Sequence, residues 1–188
     1  MTYRAPRLTL PVGERDHSAG PSKAPIVLVE YGDYQCPYCG AAYPIVKRIQ
    51  QALGDRLLFV FRNFPLTNSH PQAEWAAETA EAASAQGKFW EMHDFLYENQ
   101  RSFGDPALFS SFETRLGLDV TRVGREVTDR AYAARIEEDF SSGVRSGVNG
   151  TPTFFINGVR YDGYPEFLPM MDALNSAHKP SRRAPRGA

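Results

Sequence analysis

The chain has 188 residues, 42% of them hydrophobic, and a formal net charge of −1. This apolar content is enough to build a core, which excludes a globally disordered chain. The balanced charge argues against a dedicated nucleic-acid-binding protein, which usually carries a basic excess. No apolar run approaches the ~18 residues of a membrane span, and the N-terminus lacks the apolar region of a secretion signal. We therefore expect a cytoplasmic protein that binds neither nucleic acid nor membranes.

The first third of the chain predicts a β–α–β unit. Residues 1–24 are rich in proline, glycine and charge, and they predict an extended N-terminal arm. The apolar run Ile26–Val29 predicts a strand that is buried on both faces. A periodic apolar pattern predicts a helix from 37 to about 53, ended by Gly54, and the run Leu57–Phe61 predicts a second buried strand. Such a unit joins two parallel strands through a crossover helix.

The middle of the chain, residues 67–147, predicts a helical insertion because it shows no strand pattern. Asn68 or Ser69 is predicted to cap a first, alanine-rich helix that runs to about Ala85. A second helical face is indicated by the apolar residues Phe89, Trp90, Met92 and Leu96.

Two further helix starts are predicted in this insertion. Asp105 followed by Pro106 is typical of a cap and the first position of a helix. Asp119 is predicted to open the last and longest helix. Its apolar stripe would consist of residues that recur at every fourth position, namely Tyr132, Ile136, Phe140 and Val144.

The last part of the chain predicts a hairpin and a helix. Thr153–Ile156 predicts a strand, Asn157 and Gly158 form the usual two-residue hairpin turn, and Val159–Tyr161 predicts the partner strand. A final helix is predicted over about 165–177. The basic residues that follow, within 179–188, predict a flexible, solvated tail.

The chemistry of the chain centres on its two cysteines, Cys36 and Cys39. Pro37 takes the first position of the predicted helix, which makes Cys36 the N-cap. Free backbone N–H groups and the positive end of the helix dipole favour a thiolate there, so we expect a lowered pKa for Cys36. Cys39 lies one helical turn further on and is expected to be more buried. Cys36 is therefore predicted to attack a disulfide and Cys39 to resolve the mixed disulfide.

Two other interpretations of the cysteine pair stay open at this point. Half of a zinc site would need two more ligands, and the sequence offers no second C-x-x-C pair or close histidine pair. An inert structural pair is the other possibility. We expect no metal and no cofactor.

The chain resembles the DsbA-like branch of the thioredoxin superfamily over roughly residues 14–178. The resemblance is carried by the strand Ile26–Glu30 and by three segments: Tyr-Gly-Asp-Tyr-Gln-Cys-Pro-Tyr-Cys at 31–39, Phe-Arg-Asn-Phe-Pro-Leu at 61–66 and Gly-Thr-Pro-Thr-Phe-Phe-Ile-Asn-Gly at 150–158. The helical insert between the two halves completes it.

The resemblance implies an α/β protein with a thioredoxin-like fold, a central mixed β-sheet and an inserted all-helical domain. The thioredoxin-like domain would comprise 25–66 and 148–178, and the inserted domain would comprise 67–147. The implied activity is disulfide exchange with protein thiols and disulfides, with a thiol-based redox partner for recycling. Tyr38 stands where the periplasmic oxidant type has histidine, and the Pro-Tyr pair is similar to that of glutaredoxins.

The resemblance also implies roles for residues around the cysteines. Pro152 would form a cis peptide bond, and Thr151 would offer its backbone to an extended substrate. Pro37 and Tyr38 are expected to contact the same substrate. Glu30, at the end of the first buried strand, would be a buried proton acceptor for Cys39, with its pKa raised by burial. The alternative for Glu30 is a strand-end side chain that reaches solvent.

Other functions use the same sequence features. The substrate could instead be glutathione or another small molecule, although no feature demands a glutathione pocket. A thiol-based redox sensor and a redox-inert binding or chaperone-like module are two further alternatives. His70 is interpreted as a turn residue and His93 as a packed or surface histidine. The aromatic residues of the insertion are interpreted mainly as its core, and the alternative is that some of them line a peptide groove beside Cys36: Trp75, Phe89, Trp90 and Phe95.

Overall fold

The fold is built on one mixed sheet, seen in a computed structural model that describes residues 5–178. In this part of the chain the sheet has five strands in the order β1-β3-β2-β4-β5. The pair β2–β3 is parallel and the other neighbouring pairs are antiparallel. The strands are β1 (His17–Ala19), β2 (Ile26–Gly32), β3 (Leu57–Asn63), β4 (Thr153–Ile156) and β5 (Val159–Tyr161).

Helix α1 connects the two parallel strands, five helices lie between β3 and β4, and α7 follows β5. The predicted thioredoxin-like fold with a mixed sheet and a helical insertion is therefore confirmed. None of the helices between residues 5 and 178 combines the length and apolar character needed to cross a membrane. The helices are α1 (Pro37–Leu53), α2 (Ala73–Ser84), α3 (Phe89–Glu98), α4 (Pro106–Arg115), α5 (Val120–Thr128), α6 (Ala133–Arg145) and α7 (Phe167–His178), with short 3-10 turns at Gly54–Arg56 and Gln100–Ser102.

The central strand β2 separates two apolar layers, because successive side chains of a strand point to opposite faces. Leu28 belongs to the layer formed with α1, α3 and α7, whereas Val29 and Tyr31 belong to the opposite layer with Phe155. Glu30, two residues from Leu28, consequently faces α1. The alternation of side chains along β2 therefore places the Glu30 carboxyl group on the same side of the sheet as the cysteines.

Two turn and cap predictions are confirmed. Asn157 and Gly158 both have positive φ angles, 47° and 77°, as the two-residue hairpin requires. The Asp105 side chain accepts hydrogen bonds from the backbone N–H groups of Ala107 and Leu108, at 3.0 and 3.1 Å.

The N-terminal arm contributes a strand that the sequence pattern did not predict. His17–Ala19 pairs antiparallel with Phe59–Phe61 at the edge of the sheet. The sequence did not indicate this strand because it has only three residues, and two of them, His17 and Ser18, are polar. So short a segment shows neither an apolar run nor an alternation of apolar and polar residues. Residues 1–4 of the arm and the predicted tail 179–188 lie outside the described residues.

The predicted cap of the first inserted helix is wrong. Helix α2 begins at Ala73 after Gln72, and Ser69 and His70 instead donate backbone hydrogen bonds to the Leu66 carbonyl, at 2.9 and 2.8 Å. Nδ1 of His70 in this turn lies 2.8 Å from the Asp33 carboxylate, a long-range contact that local cap preferences cannot reveal.

The predicted long helix after Asp119 is two helices. Asp119 does cap a helix, accepting from the Arg122 N–H at 2.9 Å, but α5 ends at Thr128 and α6 starts at Ala133. Arg130, with a φ of 52°, makes the break, and the Tyr132 N–H donates to Glu78 of α2 at 3.0 Å. The predicted apolar stripe is not buried along its full length, since its last residue, Val144, is 54% exposed.

A buried ion pair fastens the arm to the sheet. Arg62 of β3 is fully buried, and its guanidinium donates to both carboxylate oxygens of Asp16, at 2.8 and 3.1 Å. It also donates to the Leu10 and Pro11 carbonyls and to the Tyr31 hydroxyl. Burial alone would raise the pKa of Asp16, but the hydrogen bonds from Arg62 and the Gly13 N–H hold it below the usual value.

Replacing Arg62 should test how strongly the arm contributes to stability. Arg62→Met leaves Asp16 buried without its partner, so we expect the free energy of unfolding to fall by about 3–5 kcal/mol in urea titrations at pH 7. The loss should shrink as the pH falls, since a carboxyl with a lowered pKa contributes its stability above the unfolded value of about 3.9.

Arg122→Met is the control, because the Arg122–Glu126 pair lies at the solvent-exposed surface of α5, so its loss should lower the free energy of unfolding far less than the loss of Arg62. Equal losses in the two variants would show that the buried pair has no special importance.

Candidate active site

Cys36 stands at the junction of β2 and α1. Its φ and ψ angles of −68° and 122° are those of an N-cap, and Pro37 occupies the first turn of the helix. The Cys36 N–H donates to the Asp33 carbonyl at 3.1 Å, which closes the turn from the strand. The thiol donates to the Thr151 carbonyl oxygen at 3.4 Å. The sulfur is thereby placed between the helix N-terminus and the loop before β4.

The surroundings of Cys36 favour its thiolate. A hydrogen bond with the Cys39 thiol is the main cause, and together with hydrogen bonds from the Thr151 side chain and from the backbone of Cys39 and Tyr38 it lowers the pKa of Cys36 to about 5. Burial of Cys36 acts to raise this pKa, but the hydrogen bonds lower it by more. The shift has the direction expected for a cysteine at a helix N-terminus.

Cys39 has the opposite environment. It is fully buried, and its sulfur accepts a long hydrogen bond from the Asp33 N–H at 3.5 Å. Burial first, then the hydrogen bond with Cys36 and the charge of Glu30, raise its pKa well above the usual value. Both cysteines are free thiols in this structure. Near neutral pH the pair therefore consists of one thiolate and one thiol.

Glu30 is buried rather than directed to solvent, with an exposed fraction of 2%. Burial, together with the nearby charge of Cys36, raises its pKa to about 8. Its Oε1 atom has no hydrogen-bond partner within residues 5–178. A carboxyl group whose pKa lies near neutrality can gain or lose a proton under working conditions.

The loop before β4 forms the other wall of the site. The Thr151–Pro152 peptide bond is cis, and Thr153 pairs with Tyr31 at the end of β2, which carries the loop to the cysteine turn. The Thr151 hydroxyl is buried, and it lies close enough to Cys36 to help lower the pKa of that thiol. On the solvent side, Pro37 is exposed and Tyr38 is 73% exposed, so both are accessible to a substrate.

Two polar contacts around the turn were not assigned to the site from the sequence. The buried Asp33 carboxylate accepts from the Gln35 and Leu66 N–H groups, at 2.7 and 2.8 Å, and lies 2.8 Å from Nδ1 of His70. His70 is thus a turn residue, as predicted, but it also binds the cysteine turn. The acidic residue two positions before Gln35 is typical of a side chain that caps its own turn, and that signal could have identified Asp33.

Gln100 is the second contact. Its side-chain amide donates to the Tyr34 and Cys36 carbonyls, at 2.7 and 2.9 Å, and so joins the helical insertion to the active-site turn. No sequence signal identifies such a residue, because its partners lie 64 and 66 positions away. No group of three or more histidine, cysteine or acidic side chains suited to a metal ion is found among residues 5–178.

Comparison with known proteins identifies the family. The family model described as Thioredoxin matches residues 13–175. Among solved structures, BdbD of Bacillus subtilis superposes with a TM-score of 0.79 at 19% identity, covering 93% of this chain and 97% of that one. The α-DsbA1 protein of Wolbachia pipientis gives a TM-score of 0.77 at 22% identity, covering 91% and 94%.

A curated relative carries a different name. A protein of Salinispora arenicola called Na(+)/H(+) antiporter NhaA 1 is 44% identical over 180 residues, which are 95% of this chain and 27% of that protein. The chain thus spans about a quarter of the length of the curated relatives it matches. The match over residues 13–175 and the sheet with its helical insertion together place the chain in the thioredoxin family, with the fold of the DsbA-like oxidoreductases.

Proposed function

We propose that this chain is a thiol–disulfide oxidoreductase that exchanges disulfides with protein substrates. The observation that carries the proposal is the divergence of the two thiols, because the pKa of Cys36 falls to about 5 while that of Cys39 rises. A thiolate is the nucleophile of disulfide exchange, and a buried thiol one turn away is suited to resolve the product.

In the first step the Cys36 thiolate attacks one sulfur of a substrate disulfide. A Cys36–substrate disulfide forms, the substrate S–S bond breaks, and the other substrate sulfur leaves as a thiolate that takes a proton from water. Cys39 then loses its proton and attacks Cys36 Sγ, which releases the second substrate thiolate. Two electrons pass from the dithiol to the substrate, and a thiol-based partner would restore the dithiol. The same steps in reverse oxidise a substrate.

Glu30 is the proposed proton acceptor of the second step. It faces α1 from the strand beneath the cysteines, and its charge helps to raise the pKa of Cys39. With a pKa of about 8, the carboxyl group can take the proton of Cys39 and return it in the oxidising direction.

The substrate would bind along the loop before β4. A peptide in extended conformation can pair with the Thr151 backbone, and Pro152 presents no N–H group that would compete in that pairing. Pro37 and Tyr38 would contact the peptide from the helix side, since both are exposed next to Cys36. Apolar exposed surface of this kind suits unfolded or extended chains.

The reactivity of the thiols gives one test. Alkylation with iodoacetamide should modify Cys36 with a midpoint near pH 5 and leave Cys39 unmodified in the native protein. Thr151→Val removes a hydroxyl that favours the thiolate without changing the size of the side chain, so the midpoint should rise, by on the order of one unit. Peptide mapping by mass spectrometry assigns the modified sulfur.

Thr153→Val is the matched control, because the Thr153 hydroxyl donates to the Gly150 carbonyl at 2.7 Å rather than to sulfur. Faster alkylation of Cys39 than of Cys36 at mildly acidic pH would reverse the assigned roles.

Serine substitutions test the division of labour in turnover. Cys36→Ser should lower the rate of insulin reduction to that of dithiothreitol alone, because the remaining Cys39 is buried and its pKa is raised. Cys39→Ser should accumulate a mixed disulfide on Cys36, because attack proceeds and resolution does not. Gel electrophoresis without reductant detects that product. Insulin reduction by Cys36→Ser that is faster than with dithiothreitol alone would refute the proposed function.

A further inference from the structure

Tyr97, in the last turn of α3, projects from the helical insertion towards the centre of the sheet. Its ring lies 5.0 Å from that of Tyr34 and 5.4 Å from that of Tyr43, measured between centroids, and the residue is only 6% exposed. A methyl group on Gly32 of β2 would come within 2.8 Å of the Tyr97 hydroxyl oxygen. The hydroxyl therefore lies directly over the backbone of Gly32.

This position brings the hydroxyl close to both groups that exchange a proton. Glu30 lies two residues before Gly32 on the same face of the strand, a separation of about 6.6 Å along β2. On the other side, the Cys39 sulfur accepts a hydrogen bond from the N–H of Asp33, which belongs to the peptide group that follows Gly32. Tyr97, Glu30 and Cys39 thus surround one short stretch of backbone.

Two buried polar atoms in this cluster lack partners. Neither the Tyr97 hydroxyl nor the Glu30 Oε1 atom has a hydrogen-bond partner within residues 5–178. Leaving a buried donor or acceptor unsatisfied is costly, whereas a hydroxyl donor and a carboxylate acceptor satisfy one another. The two unpartnered atoms are therefore complementary.

We propose that Tyr97 is a positioning residue, whose hydroxyl donates a hydrogen bond to a water molecule that in turn donates to the Glu30 carboxylate, and that this bridge holds the carboxylate for proton exchange with Cys39. This inference rests on the proposed function. The proton passes from Cys39 Sγ to the Glu30 carboxylate, the S–S bond to Cys36 forms, and the hydroxyl keeps its own proton throughout. An aromatic residue of the insertion would then take part in the chemistry of the thioredoxin-like half.

The charges around the hydroxyl are consistent with a donor that never ionises. The titratable groups whose charges act on it are Cys39 of α1, Glu30 of β2, and Tyr34 and Asp33 of the turn between them, and the rings of Tyr43 and His93 pack against its own ring. Burial, followed by the negative charges of Cys39 and Glu30, raises the pKa of Tyr97 well above its usual value. The hydroxyl is consequently protonated at every pH at which the enzyme could work.

Tyr97→Phe removes only this oxygen. A hydrogen bond to a carboxylate stabilises the charged form, so its loss should raise the pKa of Glu30 further, by about one unit. The carbon-13 shift of the Glu30 side-chain carboxyl, followed against pH in the reduced protein, measures this directly. The readout needs no turnover, so it remains valid even if the proposed function fails.

Reaction with Ellman's reagent separates attack from resolution. The first thionitrobenzoate release reports attack by Cys36, and the second reports resolution of the mixed disulfide by Cys39. In Tyr97→Phe the first rate should be unchanged, while the second should fall about tenfold below pH 7 and recover at alkaline pH, as a shift of one unit requires. A wild-type protein without a second release would count against the proposed function itself.

Tyr43→Phe is the matched control, because Tyr43 stacks on Tyr97 but its hydroxyl donates to Glu98 at the surface, at 3.1 Å. It should leave the Glu30 titration and both rates as in the wild type. Tyr97→Phe should also have no additional effect in a Glu30→Gln background, because it acts through Glu30. An unchanged Glu30 titration in Tyr97→Phe, or an equal loss of rate with and without Glu30, would overturn the proposal.

Discussion

The hydrogen bond between the two cysteine side chains at the start of α1 is the interaction on which the site depends. It stabilises the anion of Cys36 and the protonated form of Cys39 at the same time, and so drives their pKa values apart. Two thiols in one environment would otherwise titrate together. The asymmetry comes from position: Cys36 is the N-cap and meets free backbone N–H groups, whereas Cys39 lies within the helix against the sheet.

The rest of the fold holds this helix start in place. Strand β2 pairs with β3 on one side and with β4 on the other, and in this register Glu30 faces α1. The short turn after Gly32 is held by the Asp33 carboxylate on one side and by the Gln100 amide on the other. Strand β4 pairs with β2 and brings the Thr151 carbonyl to the Cys36 sulfur. The sheet, the loop before β4 and the helical insertion thus each contact the turn that carries the cysteines and hold it in position.

Local patterns were enough to predict the elements that carry the chemistry. The apolar runs of β2 and β3, the N-cap position of Cys36 and the Asn157–Gly158 hairpin depend on neighbours in sequence, and the structure has them where they were expected. The predicted helix boundaries were wrong where contacts between residues distant in sequence outweigh the local helix and cap preferences. The break at Arg130 and the turn ending at His70 are stabilised by Glu78 and Asp33, which lie far away in sequence.

The buried polar contacts around the site are the part that sequence could not supply. A glutamine at position 100 or a tyrosine at position 97 looks like any residue of an amphipathic insertion until the fold places it beside the cysteine turn. Glu30 was accessible to prediction because the family resemblance implied a buried acid at this position and because the residue ends an apolar strand. The direction of its pKa shift then followed from burial alone.

The pH dependence of the reduction potential tests the central claim, that the reduced site holds one thiolate and one thiol. Equilibration with glutathione buffers between pH 6 and 7 should give a slope of about −30 mV per pH unit, because two electrons are then accompanied by one proton, taken by Cys39. Below pH 5, where Cys36 also binds a proton, the slope should steepen to about −59 mV per unit. A slope of about −59 mV between pH 6 and 7 would mean that both sulfurs are protonated on reduction, and it would contradict the account.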